Sequence, residues 1–326
     1  MRHLEHSIFQ DFSLSDFTAQ SLLLFRYQYE QNAVYRDYCD KLSVDYETVF
    51  SLDKIPFLPI SFFKTQKVVN TTFKPEIVFS SSGTTGMSSS HHYVKKVDLY
   101  EKSFITGFKY FYGDPSQYTF LALLPGYIER EDSSLIYMIK KFIELSGSPD
   151  SGFFLNEYEN LYKTLLKLQF QNKKVILFGV SFALLDFAEK YKFNFPELLV
   201  FETGGMKGLR KELVKEELHA ILKTSFGVPA IHSEYGMCEL LSQAYSCGDN
   251  VFKTPPWMKL LLRDEKDPLF TSPDLTTGVI NVIDLANVFS CAFIATDDLG
   301  RKKDSGMELL GRLDSAEVRG CNLLVM

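Results

Sequence analysis

Between residues 76 and 236 the chain repeats one pattern, and that pattern restricts its fold more than any other feature. A short apolar run is followed by a turn of small or glycine residues, and then by a longer stretch with helical spacing. The run 119–124 ends in Pro125-Gly126, 174–178 runs into Gly179-Val180-Ser181, 198–202 into Thr203-Gly204-Gly205, and 230–233 into Glu234-Tyr235-Gly236. Between them, helices are predicted over 133–145, 157–170, 181–190 and 209–224. The first carries Leu135, Ile136, Ile139, Phe142 and Ile143 inward and stops at Gly147. Strand, glycine turn and helix in alternation predict an α/β domain with a largely parallel sheet. Such sheets bind ligands outside the carboxyl ends of their strands. The turns at Ser81, Gly179, Gly204 and Tyr235 are therefore predicted to converge.

The flanks differ. Over 15–42 the residues Phe17, Leu22, Leu24, Phe25, Tyr29, Val34, Tyr35 and Tyr38 recur at roughly helical intervals, with Ser15 or Asp16 placed to cap the start. Residues 55–64 form an apolar linker in which Pro59 forbids a regular helix. After Cys247 the pattern changes to short β-rich segments at 258–263, 278–284 and 289–295. The expected division is a helical segment at 1–70 packed on the core, an α/β domain at 71–310, and a hinge remnant with a tail at 311–326.

A net charge of −6 with no dense basic cluster argues against a nucleic-acid partner. The longest apolar stretch, 175–185, is too short to span a bilayer, and the first residues lack a signal-peptide pattern, so the expected location is cytoplasmic. Five scattered cysteines without metal-ligand spacing predict reduced thiols rather than a disulfide framework or a zinc site.

The first turn of the pattern is chemically distinct. After the apolar run 76–78 the chain reads Phe79-Ser80-Ser81-Ser82-Gly83-Thr84-Thr85-Gly86. Small hydroxyl residues and two glycines give a sharp loop whose N–H and O–H donors converge, a concavity suited to phosphate. No Gly-Lys-Ser/Thr follows, since Met87 and Ser88 stand there, so this is not a Walker A loop. Taken alone, it is equally a polar surface turn. Three further stretches follow in order: Gly204-Gly205; Glu234-Tyr235-Gly236-Met237-Cys238-Glu239; and Thr296-Asp297-Asp298-Leu299-Gly300 ahead of Gly311-Arg312-Leu313-Asp314.

Together these resemble the core motifs of the adenylate-forming superfamily: the Ser-Gly-Thr-Thr-Gly phosphate loop, Tyr-Gly-x-Thr-Glu, Thr-Gly-Asp-Leu-Gly, and the Gly-Arg-x-Asp hinge. Within it the chain is most similar to the acyl-protein synthetase (long-chain-fatty-acid–luciferin-component ligase) family. That similarity is carried by His91-His92-Tyr93-Val94 after the loop, Leu123-Leu124-Pro125-Gly126-Tyr127, Gly204-Gly205-Met206, Arg210-Lys211-Glu212-Leu213, and the run from Glu234 through Leu240-Leu241-Ser242-Gln243. The resemblance implies the N-terminal domain of an adenylate-forming enzyme: mixed, largely parallel sheets with flanking helices, a β-rich C-terminal part, and no C-terminal lid domain. It also implies an enzyme that joins a fatty acid to AMP and moves the acyl group onto a cysteine thiol, for an acyl reductase partner.

By this resemblance ATP and Mg²⁺ are the cofactors. Ser81, Ser82, Gly83, Thr84, Thr85 and Gly86 would hold the β- and γ-phosphates, and Glu239 the Mg²⁺. Tyr235 with Gly236 would lie against the adenine, for which Gly204 and Gly205 leave room. Asp298 would accept from the ribose hydroxyls, and Arg312 would add a cationic contact. His91 and His92 are candidates to polarise the acyl carboxylate. Each has a plainer alternative: a core aromatic for Tyr235, a helix-start acid for Glu239, a turn cap for Asp298, surface residues for the histidines, and a solvated face for Lys95 and Lys96.

The pattern also has departures. Serines replace the lysine that many relatives place after the phosphate loop, Cys238 replaces a threonine with a weaker donor, and Asp297 replaces a glycine. Cys321, beside Gly320 and near Arg319, matches the family's acyl-accepting cysteine, and its alternative is a small hydrophobe in a final strand. Two other functions stay open: an acyl- or aryl-CoA ligase using coenzyme A, and a catalytically weak adenylate-binding scaffold subunit.

Overall fold

The computed structural model describes residues 8–81, 89–125, 132–204 and 213–313. Of the site residues named above, Ser82, Gly83, Thr84, Thr85, Gly86, Gly205 and Cys321 lie outside the described residues. In chain order the strands are β1 (Leu58–Pro59), β2 (Ile77–Ser80), β3 (His91–Val94), β4 (Thr119–Leu123), β5 (Gly152–Phe153), β6 (Val175–Gly179), β7 (Leu199–Glu202), β8 (Ile231–Tyr235), β9 (Ala244–Ser246), β10 (Val251–Lys253), β11 (Met258–Arg263), β12 (Thr277–Asp284), β13 (Phe293–Lys303) and β14 (Gly306–Arg312). The chain forms two compact units. One takes the described residues up to 76, then 89–95 and 253–313, and the other takes 77–81 and 96–252.

The second unit holds the parallel sheet, in the order β8-β7-β6-β4-β5. Every residue of β4 and β6 is buried, as expected for strands covered on both faces by helices. The helix Ser134–Ser146 begins at Ser133, whose hydroxyl accepts from the Ile136 N–H, and it ends at Gly147. It buries Ile136, Met138, Ile139 and Phe142, while Leu135 and Ile143 are only partly covered. The helix Val97–Tyr112, which the strand–turn pattern did not bring out, buries Leu99, Tyr100, Ser103, Phe104, Gly107 and Phe108 on one stripe. Phe108 meets Phe142 at 4.8 Å between ring centroids, and Phe120 stacks on Phe142 at 5.3 Å. Burying each such ring contributes about 2 kcal/mol or more.

Two elements begin later or run further than their sequence suggests. The helix expected from 209 starts at Lys215, because Val214 is extended (φ −65°, ψ 148°). Strand β8 continues past Ser233 to Tyr235, because β9 pairs with it antiparallel through Ser233↔Ser246, Glu234↔Tyr245 and Tyr235↔Ala244.

In the first unit β11, β12, β13 and β14 form an antiparallel meander, with β1 parallel against β13 through Leu58↔Ile294. The run 15–42 forms two helices, Leu14–Gln31 and Ala33–Lys41, parted at the extended Asn32. Asn32 serves both: its N–H caps the first through the Gln28 carbonyl, and its Oδ1 accepts from the Val34 and Tyr35 N–H groups. The first helix is capped by Ser13, two and three residues ahead of the candidates at Ser15 and Asp16. The strand expected at 289–295 starts at Phe293. Residues 285–292 are instead a loop tied by buried amides: Gln28 Nε2 donates to the Asn287 carbonyl (2.9 Å), Asn32 Nδ2 to that of Ser290 (3.0 Å), and Asn70 Nδ2 to that of Val288 (2.5 Å). Among the described residues, no helix is long and apolar enough to cross a membrane.

Candidate active site

Three parallel strands end side by side in the second unit, and one acid joins them. Glu202, the last residue of β7, is buried. Its carboxylate accepts from Ser181 Oγ (2.5 Å) at the start of the helix after β6, from the Gly204 N–H (2.6 Å), and from Ser233 Oγ of β8 (3.4 Å). Thr203 N–H donates to the Gly179 carbonyl at 3.1 Å. Gly204 has φ +75°, a left-handed conformation that disfavours any side chain. Of the four turns predicted to converge, those at Gly179 and Gly204 are joined by hydrogen bonds, and β8 is tied to them through Ser233, two residues before Tyr235. Ser81 follows β2, whose last residue, Ser80, donates its N–H to the Asp132 carbonyl (2.9 Å) and its hydroxyl to the Asp132 carboxylate, just ahead of the helix at Ser134.

Tyr235 closes β8 and is 9% exposed. Its ring meets Phe252 edge-on at 6.0 Å, and Lys215 Nζ lies 4.7 Å from the centre of the Phe252 ring. Burial pulls the Lys215 amine below the usual range, opposed by the negative charge of Glu202. Cys238 and Glu239 lie in the turn between β8 and β9, where the Leu240 N–H donates to the Met237 carbonyl (3.1 Å), and both are buried.

Asp298 and Arg312 belong to the first unit. They are register partners on β13 and β14, joined by Arg312 Nε donating to Asp298 Oδ1 at 3.1 Å. Behind them Arg263 is buried and donates to the carbonyls of Ile280 (3.0 Å) and Thr296 (2.5 Å) and to Asn281 Oδ1 (2.8 Å). The Asp298 N–H donates to Thr296 Oγ1 (3.1 Å), so the backbone that presents Asp298 is held from below. His91 is exposed on β3. His92 is buried, with Nε2 3.2 Å from Asn287 Oδ1 and its ring edge-on to Phe63 at 5.9 Å. Lys95 Nζ lies 4.5 Å from the centre of the Phe289 ring, a cation–π contact beyond a merely solvated face.

Residues 5–326 match the family model described as acyl-protein synthetase, LuxE. The chain belongs to that family. It is 24% identical to the long-chain-fatty-acid–luciferin-component ligase of Aliivibrio fischeri, over 92% of this chain and 85% of that one. It is equally 24% identical to the ligase of the same name from Vibrio harveyi, over 92% and 84%. Among solved structures it resembles ATP-bound MatB from Rhodopseudomonas palustris, with a TM-score of 0.54 and 16% identity over 74% of this chain; it spans 49% of that chain. It also resembles a 2-hydroxyisobutyryl-CoA ligase in its postadenylation state, with a TM-score of 0.63 and 10% identity over 92% of this chain and 68% of that one. The fold is thus that of the adenylate-forming enzymes, as the ordered motifs led us to expect.

Glu202, Lys215, Phe252 and Arg263 escaped the motif reading. Glu202 had one signal, a lone acid closing an apolar strand run, while the others depend on partners distant in sequence. Among the described residues, no group of three or more His, Cys, Asp or Glu side chains is arranged to hold a metal ion. A single buried carboxylate still fits the way Mg²⁺ is held in nucleotide sites, by one or two protein carboxylates together with phosphate oxygens and water. Glu239 is the residue that would hold it, and the ion would neutralise charge on the phosphates.

Proposed function

We propose that this chain activates a carboxylic acid, a fatty acid in the family's sense, with ATP to give an acyl adenylate and pyrophosphate. It then passes the acyl group to a protein cysteine thiol for an acyl reductase partner. The observation that carries the reading is the union of the β6, β7 and β8 ends at Glu202, beside Gly204 and Tyr235, within a chain whose family is that of acyl-protein synthetases. In the first step a carboxylate oxygen forms a bond to the α-phosphorus and the bond to the pyrophosphate oxygen breaks. Positioned N–H and O–H donors from Ser81 to Gly86 stabilise the charge that develops on phosphate. Gly204 and Gly205 leave space for the base beside Tyr235, Asp298 accepts from the ribose hydroxyls, and Arg312 adds positive charge. In the second step the thiolate of Cys321 bonds to the acyl carbon and AMP leaves. His91 is assigned to the acid's carboxylate.

The test is acid-dependent exchange of labelled pyrophosphate into ATP, for the wild type and for Glu239→Ala. Exchange that requires a carboxylic acid and falls at least about a hundredfold in the variant supports the reading. Absence of exchange with any acid overturns it in favour of a scaffold subunit. Acyl label released on added coenzyme A, rather than kept on the protein, overturns the transfer step alone.

A further inference from the structure

Opposite Tyr235, the β8–β9 ribbon carries a second group of polar side chains. Side chains alternate across a strand, so Glu234 and Gly236 share the face that Tyr235 does not. Glu234 pairs directly with Tyr245, which places Tyr245 on that same face, and Gln243 lies two residues before it. Gly236, lacking a side chain, lets the Glu234 carboxyl pack directly over its backbone beside Gln243. A Cβ there would collide with Glu234 Oε1 and lie 3.2 Å from Gln243 Cγ.

Two atoms of this group have no hydrogen-bond partner: Gln243 Oε1 and Tyr245 OH. Gln243 is 5% exposed and Tyr245 is fully buried, its ring meeting Phe111 at 5.4 Å and Tyr112 at 5.5 Å. Burying an unpaired polar atom costs about 1–3 kcal/mol, and native interiors pair nearly all of theirs. The nearby Ser103 and Ser242 hydroxyls follow that rule, bonded to each other at 2.9 Å. Two orphans on one ribbon face, one of them on the side chain packed against Gly236, therefore mark a place able to take a further polar partner. The turn that closes this ribbon, residues 236–243, is also the one that carries Cys238 and Glu239.

We propose that Glu234, Gln243 and Tyr245 recognise a hydroxyl group on the acid that this chain activates, so that the substrate is a hydroxy-substituted carboxylic acid rather than an unsubstituted fatty acid. The inference rests on the acid-activating reading above. An amide oxygen needs a donor, and a phenol gives or takes a hydrogen bond, so a hydroxyl satisfies both. Burial pushes the Glu234 carboxyl up to about 8, which keeps it mainly neutral near pH 7 and able to donate. A neutral group of this kind suits a hydroxyl better than an ammonium. A plain hydrocarbon chain would leave both orphans unpaired.

The experiment compares kcat/KM in the exchange assay for an unsubstituted acid and for its α-, β- and ω-hydroxy derivatives of equal chain length. It uses the wild type, Tyr245→Phe and Gln243→Met. We expect the wild type to prefer one hydroxy acid by more than about tenfold, since a site built to bond a hydroxyl discriminates strongly against its absence. Both variants should flatten that preference while melting no lower than the wild type, because each removes an unpaired polar atom and keeps the packing volume. Equal use of substituted and unsubstituted acids by the wild type, or a preference that survives both variants, overturns the proposal and leaves acid activation standing. Failure of every acid to support exchange overturns both.

Discussion

Ser181 Oγ lies 2.5 Å from the carboxylate of Glu202, a bond that runs from the first turn of a helix after β6 to the last residue of β7. The same carboxylate reaches the Gly204 N–H and the Ser233 hydroxyl, so a single side chain ties together the carboxyl ends of three parallel strands. Glu202→Ala leaves buried donors without an acceptor. It should cost about 3 kcal/mol in urea unfolding, with Glu202→Gln intermediate. A loss below about 0.5 kcal/mol would mean that the strand ends are held by something else.

The pair Asp298 and Arg312 separates stability from function. The Arg312 side chain is 73% exposed, so the ion pair contributes less than about 0.5 kcal/mol. Asp298→Asn should therefore leave the melting temperature nearly unchanged while lowering exchange activity about tenfold or more, chiefly through KM for ATP. Unaltered KM in a folded variant would remove Asp298 from the nucleotide site.

Stability should pass through a maximum with pH, and opposite groups set its two sides. Burial pulls His219 and His232 down to about 4 from an ordinary 6.5, so the unfolded chain takes up their protons first and stability is lost as pH falls from 6.5 toward 4. Glu234, raised from 4.5 to about 8, keeps its proton in the folded state after the unfolded chain has released it, so stability falls as pH rises through that interval. Glu234→Gln should flatten the alkaline side and, because its interval overlaps that of the histidines, steepen the acid side between pH 4.5 and 6.5. Melting curves of both proteins between pH 5 and 8 test this, and parallel curves would show that the carboxyl ionises freely in the fold.

Cys321→Ser should still exchange pyrophosphate with ATP but retain no acyl thioester after incubation with labelled acid and ATP. A variant that labels as strongly as the wild type would move the acceptor to another residue or molecule.

The loop 285–292 depends on three amides from far upstream. Gln28→Leu frees the Asn287 carbonyl and the Ala292 N–H together and leaves the Val288 carbonyl to Asn70 alone, and should cost about 2–3 kcal/mol. Native hydrogen exchange at Ala292 should rise accordingly. Unchanged protection would show that the loop is held without Gln28.

Much of the α/β frame could be read directly from the chain, because apolar runs, helical spacing and stops such as Gly147 act within a few residues of one another. The order of the glycine-bearing motifs likewise led to the adenylate-forming fold. The break at Asn32 was hidden because local periodicity runs on through it; its cap on the Val34 and Tyr35 N–H groups is local, but the Ser290 carbonyl that holds its amide is distant in sequence. The same holds for Glu202, whose partners Ser181 and Ser233 stand on two other elements, and for Gln243 and Tyr245, whose missing partners have no sequence signature at all. Local order was determined by short-range sterics and hydrophobic pattern. Which polar groups meet, and which stay unpaired, was decided by strand register, and register exists only once the sheet has formed.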